Sequence, residues 1–232
     1  MAGFDLVMFD LDGTLVETAP EILDAVNDAL RRFGLPEVQQ QQVDDWIGHG
    51  TLELLVKALA QVTGAAAGAV RQSALLAQIE PVYNQAYNAR CGTRSTLYPQ
   101  VLETLVALRE RGVKLALVTN KEGRYTRVVL NAHALGSLFH LVVSGDTLPS
   151  KKPNPAGVAL ALAQFDVVPQ RALFVGDSSI DVATARNAGV QVWAVPYGYN
   201  MGHAIETSAP DRIIADLSWL LNGSREACTL NR

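Results

Sequence analysis

Residues 6–18 read LVMFDLDGTLVET: the apolar run Leu6-Val7-Met8-Phe9 leads straight into two aspartates one residue apart, Asp10 and Asp12, and then into Gly13. A short run with no polar face has the length and character of a strand buried on both sides, as in a parallel sheet covered by helices. Similar runs recur at about 113–118, 140–144, 172–176 and 190–195, with helical periods between them at about 100–111, 122–135, 155–165 and 179–188. Pro99 before the first of these helices, Gly112 after it and Gly189 after the last are boundary signals. The pattern predicts an α/β fold built on a parallel sheet.

The alternation breaks once, between about 17 and 90, where every pattern is helical. Thr18 and Glu21, with Pro20 between them, have the spacing of a capping box, and Ile22, Ala25, Val26, Ala29, Leu30 and Phe33 follow at helical spacing until Gly34. Further helical patterns cover 51–62 and 66–89, and Pro81 is expected to kink or divide the second. A crossover between parallel strands needs one helix. The excess predicts an all-helical cap, 17–90, inserted after the first strand of a core formed by 1–16 and 91–232.

Composition narrows the function classes. The chain has 232 residues, a formal net charge of -4 and two cysteines, Cys91 and Cys228, far apart and outside any CxxC pattern. A zinc site or a disulfide framework does not follow from such spacing, and the charge argues against a nucleic-acid partner. No apolar run approaches the ~18 residues of a membrane span, and the N-terminus lacks the charged and apolar regions of a signal peptide. The expectation is a soluble, cytoplasmic protein with no membrane partner, monomer or homodimer, with Trp219, Leu220 and Leu221 packing on the core or on a partner.

Ligands of open parallel sheets bind at the carboxyl ends of the strands, which is where Asp10 and Asp12 fall. Strand 113–118 exits into Thr119-Asn120-Lys121, and strand 172–176 into Gly176-Asp177-Ser178-Ser179-Ile180-Asp181; Lys152, in Lys151-Lys152-Pro153-Asn154-Pro155, follows the third strand. Singly, each has an ordinary explanation. Asp-Gly makes turns, a threonine can end a strand, a lysine is usually solvated, and Asp177 and Asp181 suit a helix cap and first turn. An EF-hand is excluded because Gly13 follows Asp12 immediately. Together, on one edge, they predict an active site. Carboxylates about 4 Å apart repel by roughly 4 kcal/mol at an effective dielectric near 20, so the cluster calls for a proton or a cation. Magnesium, a hard oxygen-seeking ion that shares its sites with phosphate, fits this need, and Thr119 and Lys152 complement phosphate oxygens.

Asp10-Leu11-Asp12-Gly13-Thr14, Thr119, Lys152 and Gly176-Asp177 with Asp181 resemble, in order, the four motifs of the haloacid dehalogenase-like phosphohydrolases. The resemblance implies a Rossmann-like core with a helical cap of the C1 type. Trp46-Ile47-Gly48-His49-Gly50, Lys151-Lys152-Pro153-Asn154-Pro155 and Tyr197-Gly198-Tyr199-Asn200 resemble the branch of that superfamily that hydrolyses 2-phosphoglycolate. Ile180 departs from relatives, which often have Asn there. The implied roles are nucleophile for Asp10 and general acid and base for Asp12. Mg2+ would be held by Asp10, the Asp12 carbonyl and Asp177, with Asp181 and Thr14 behind them. Thr119, Asn120 and Lys152 would bind the phosphoryl group of a small phosphorylated metabolite, and the cap-loop residues Gly48, His49 and Gly50 the rest of it.

Other readings stay open. A phosphatase for another small ester or sugar phosphate, or a phosphosugar mutase, would use the same motifs. A receiver-type signalling module also gathers Asp, Thr and Lys at strand ends, but it accepts phosphate on a central strand and carries no large cap. Dehalogenase chemistry does not need Asp12.

Overall fold

The computed structural model describes residues 3–221. Six parallel strands form one sheet in the order β5-β4-β1-β6-β7-β8: β1 (Leu6–Phe9), β4 (Lys114–Val118), β5 (Leu141–Val143), β6 (Ala172–Gly176), β7 (Gln191–Ala194) and β8 (Arg212–Ile213). The five expected strands are all present. The sixth is two residues long, too short for any period to announce. The chain builds outward from β1 through β4 to β5, then returns to place β6, β7 and β8 on the other side. Loops leaving β1 and its neighbours therefore part at the centre of the sheet, where such folds bind ligands.

Strand alternation sorts the core into two layers. Val7, Phe9, Leu115, Leu117, Leu173 and Val175 belong to one cluster, and Leu6, Met8, Ala116, Val118 and Phe174 to the other. The first cluster includes α6 (Val101–Glu110) and α7 (Gly123–Ala132); the second is covered by α8 (Ala156–Phe165) and α9 (Ser179–Asn187).

Between β1 and α6 the chain forms five helices: α1 (Ala19–Arg32), α2 (Gln40–Asp44), α3 (Thr51–Thr63), α4 (Ala67–Arg71) and α5 (Ala74–Arg90). Their apolar faces join the first cluster through residues such as Val26, Leu55, Tyr83 and Tyr87. A two-residue antiparallel pair, β2 (Val16–Glu17) with β3 (Thr96–Leu97), closes the neck where the chain leaves and re-enters the α/β core.

Two sequence expectations need correction here. The division expected at Pro81 falls instead at Gln72-Ser73, where the Ser73 hydroxyl accepts from Leu76 N at 3.2 Å and caps α5; Pro81 lies exposed within that helix. The capping box of Thr18 and Glu21 does not form, because Thr18 donates to Asp12 and Glu21 accepts from the returning neck instead. At the C-terminal end, Leu220 is buried while Trp219 is 40% exposed. Cys91 is free and buried, and Cys228 lies outside the described residues. Among the described residues no helix is long and apolar enough to cross a membrane.

Candidate active site

Register brings the site together. Phe9 pairs with Leu117 on one side and Val175 on the other, so β1, β4 and β6 end level. Asp10 continues the ladder by donating its N–H to Val175 O at 3.0 Å, and Thr119 donates its N–H to Val143 O at 2.9 Å. At Gly13 the backbone turns at φ 85°, and a Cβ there would lie 2.3 Å from Asp177 Oδ2. A Cβ on Gly198 would meet the same oxygen at 2.3 Å, and one on Gly176 would reach Asp181 Cγ at 2.4 Å. Bare backbone at these positions is what lets the acids sit so close to the strand ends.

One half of the site is built from sheet-edge loops and the first turn of α9. Lys152 Nζ lies 2.7 Å from Asp181 Oδ1 and 2.8 Å from Asp10 Oδ1. Asp181 is committed on its other oxygen to Ser178 Oγ at 2.7 Å and to the N–H groups of Asp177 and Ser178. Asp177 accepts from Thr14 Oγ1 on one oxygen and from Tyr199 N on the other, both at 2.6 Å. Asn200 Oδ1 accepts from Ser179 N at 2.8 Å, so the segment 197–200 braces the turn that carries Asp177. Asp10 Oδ1 differs from these: it is near the ammonium, but at an angle that leaves it buried with no hydrogen bond.

This half suits a metal ion. Asp10, Asp177 and Asp181 each bring a carboxylate oxygen within 4.8 Å of the others. Three carboxylates against the single Lys152 ammonium leave two negative charges, the complement of a divalent cation. Burial pushes the Asp10 carboxyl up to about 6, against the pull of Lys152 and with help from Asp181; burial, then Asp181 and Asp10, also raises Asp177 well above the usual carboxylate range. Lys152 is raised despite its burial, because Asp10 and Asp181 hold the ammonium. The acids are thus destabilised as anions until a further cation joins them, and Asp10 Oδ1, close to the ammonium but without a hydrogen bond, is suited to ligate it.

The other half joins the α/β core to the helices. Asp12 Oδ1 accepts from Thr18 Oγ1 at 2.7 Å and from Lys121 Nζ at 3.0 Å. Lys121 also donates to the Tyr87 hydroxyl on α5 at 2.6 Å, and that hydroxyl donates to Glu21 Oε1 on α1 at 3.4 Å. Glu21 Oε2 accepts three backbone N–H groups of the returning neck, from Gly92, Arg94 and Ser95 at 2.9, 3.3 and 3.2 Å. Although burial disfavours its charge, the Lys121 ammonium is raised by Asp12.

A cavity of about 40 Å³ separates the halves from the helical layer, lined from below by Asp10, Asp12, Thr119, Asn120 and Lys121 and from above by Ile47, Gly48, Gly50, Thr51, Tyr83 and Tyr87, among others. It has room for a few waters at most. Asn120 closes its rim: Nδ2 donates to Gly48 O at 2.9 Å and to Lys152 O at 3.1 Å, and Oδ1 accepts from Lys152 N at 2.8 Å. Thr51 Oγ1 donates to Glu122 Oε2 at 3.0 Å across the same gap. His49 does not follow its neighbours. Its side chain is absent from the lining and exposed beside Glu53 and Lys57.

Sequence reasoning brought Asp10, Asp12, Thr119, Lys152, Asp177 and Asp181 to one edge, and there they lie. It passed over Lys121, Tyr87 and Glu21. Spacing marks Leu76, Ile79, Tyr83 and Tyr87 as one buried helix face, but nothing local says that one phenol meets an ammonium from another layer.

A sequence profile of the haloacid dehalogenase-like hydrolase family matches residues 7–195. The chain is 40% identical to a phosphoglycolate phosphatase of Pseudomonas putida, over 99% of this chain and 86% of that protein. It is 38% identical to phosphoglycolate phosphatase 1 of Pseudomonas aeruginosa, over 97% and 81%. The crystal structure of a "predicted phosphoglycolate phosphatase" from Haemophilus somnus superposes with a TM-score of 0.89 at 35% identity, covering 96% of this chain and 98% of that one. With its strand ends, acids and lysine in the order described, the chain belongs to the haloacid dehalogenase-like hydrolases.

Proposed function

We propose that this enzyme is a Mg2+-dependent phosphomonoester hydrolase acting on 2-phosphoglycolate through an aspartyl-phosphate. The observation that carries the reading is the cluster of Asp10, Asp177 and Asp181, the first and last of them paired with the Lys152 ammonium, beside a cavity that Asp10 and Asp12 line. Asp10 attacks phosphorus in line, the ester P–O bond breaks, and Asp12 gives its proton to the departing alkoxide, forming glycolate. Asp12, now a carboxylate, takes a proton from water, whose oxygen attacks phosphorus to release phosphate and free Asp10. Lys152 and Thr119 hold phosphoryl oxygens and offset the charge spread over them. Asp10, the Asp12 carbonyl and Asp177 would hold the ion, with Asp181 and Thr14 fixing them from behind. The ion supplies positive charge to the transferring phosphoryl group.

The helices 17–90 act as the cap of a core formed by 1–16 and 91–232. Closed over the edge, they exclude water and leave so little space that a very small ester is favoured over a sugar phosphate. Gly48 and Gly50 offer backbone at its roof, whereas the exposed His49 is the weakest of the cap-loop candidates. The relatives' names support 2-phosphoglycolate as substrate, and the buried free thiol of Cys91 suits a reducing cytoplasm. Phosphate release measured on 2-phosphoglycolate and on other small phosphomonoesters, with Mg2+ and with EDTA, tests the reading. Preference for 2-phosphoglycolate and loss of turnover in EDTA support it; equal turnover in EDTA removes the metal, and preference for a sugar phosphate removes the substrate.

A further inference from the structure

Lys121 is 6% exposed, and its ammonium is shared between an acid of the core and a phenol of the helical layer. A lysine kept this deep needs partners that offset its lost hydration. Asp12 supplies the charge, and Tyr87 supplies an acceptor whose own proton points on to Glu21. The Tyr87 ring packs 4.6 Å from Tyr125 and 5.7 Å from Tyr83, centroid to centroid, which leaves its hydroxyl little freedom to move. Glu21 in turn is fixed by the three neck amides. Thr18, at the other crossing of the neck, donates to the same Asp12 oxygen that Lys121 approaches most closely. Both crossings between core and helices therefore converge on one carboxyl.

We propose that Lys121 is a positioning residue for the acid and base Asp12, and that Tyr87 makes its hold complete only when the helical layer is seated. The inference rests on the reading of Asp12 as the proton donor to the leaving group. Asp12 stands just before the turn at Gly13, and among the described residues its carboxylate is bonded only by Lys121 from the core and Thr18 from the neck. Misplacing a catalytic group by about 1 Å can cost on the order of 10²-fold. The hold on Asp12 thus bears directly on the proton transfer and leaves attack by Asp10 alone.

Leaving-group chemistry separates this from a structural role. A p-nitrophenolate leaves readily without a proton, whereas an alkoxide does not. The experiment measures kcat/KM of Lys121→Met and Tyr87→Phe on 2-phosphoglycolate, ethyl phosphate and p-nitrophenyl phosphate, with folding checked by circular dichroism. Lys121→Met is expected to lose about 10²-fold on both alkyl esters, the lower end of what a positioned general acid supplies, and under about fivefold on the aryl ester. Tyr87→Phe keeps the lysine and removes one hydroxyl; it should fold even where Lys121→Met does not, and lose about three- to tenfold with the same alkyl-over-aryl pattern. Equal losses on all three esters in Tyr87→Phe, or none, overturn the inference. A loss confined to 2-phosphoglycolate also overturns it, making Lys121 a reader of the substrate carboxylate. If the wild-type enzyme prefers another ester, the substrate assignment fails, while the comparison of ethyl with p-nitrophenyl phosphate still decides the role of Lys121.

Discussion

Lys152 and Lys121 are buried alike, 7% and 6% exposed, and each pairs with an aspartate of the turn after β1, yet they are anchored differently. Lys152 meets Asp10 from the sheet edge and Asp181 from the first turn of α9. Lys121 meets Asp12 from that edge and Tyr87 from a helix beyond the neck. The half proposed to handle the phosphoryl group and the ion is therefore fixed mainly by strand ends, their loops and the first turn of α9. The half proposed to move protons is finished by the helices. An enzyme divided this way can keep its phosphate site formed while the proton-transfer group waits for closure.

The sharpest attack on the comparison is Asp10→Asn. Phosphate release should disappear, and without metal the variant should be at least as stable as the parent, because it removes one of three crowded carboxylates. The sign is set by the raised Asp10 carboxyl, at about 6 in the fold against an ordinary 3.8. An acid so raised favours folding below its unfolded pKa and loses that contribution as pH rises through its folded value. The stability gap between variant and parent should widen from pH 4 to above pH 6 in urea melts in EDTA. A variant that is less stable throughout would show that Asp10 is structural.

Glu21→Ala probes the other half. It leaves three neck amides and the Tyr87 hydroxyl without their acceptor, at a cost of about 3 kcal/mol. Melting should register that loss, while Mg2+ affinity by calorimetry should stay within about threefold, since distant sites add nearly independently. A parallel collapse of metal affinity would mean the halves are not separable.

The smallest effect concerns Cys91, at the end of α5. Burial pushes its thiol up to about 11, and Tyr125 O lies 3.7 Å from its sulfur. In a Cys228→Ser background at pH 8 it should react with a thiol reagent only as fast as the neck opens. Tyr87→Phe should speed that reaction a few-fold, about what one lost hydrogen bond allows. The raised thiol favours the fold below pH 9, and that contribution is lost as pH climbs through about 11.

What the sequence disclosed followed from how far each signal reaches. Four-residue apolar runs and the acids directly after them are local, so the sheet, Asp10, Asp12, Asp177 and Lys152 could be placed in order. Helical periods disclosed the inserted layer for the same reason. Thr18 and Glu21 misled because capping spacing is a local preference, which the bonds of Thr18 to Asp12 and of Glu21 to the returning neck outweigh. Pro81 does not divide the helix, because an exposed face of α5 tolerates a missing N–H better than a buried one would. β2, β3 and β8 are two residues each and set by their partners. His49 sat between two glycines that do line the cavity, but its side chain turns outward. Lys121 read as the end of a loop, and only tertiary packing gave it Tyr87.

Rapid acid quench during turnover with 32P-labelled 2-phosphoglycolate, followed by peptide mapping, tests the central claim most directly. Label on the peptide containing Asp10 in the parent and in Asp12→Asn, and none in Asp10→Asn, is the predicted result. Turnover with no phosphoenzyme at any quench time, or label at another residue, would contradict it.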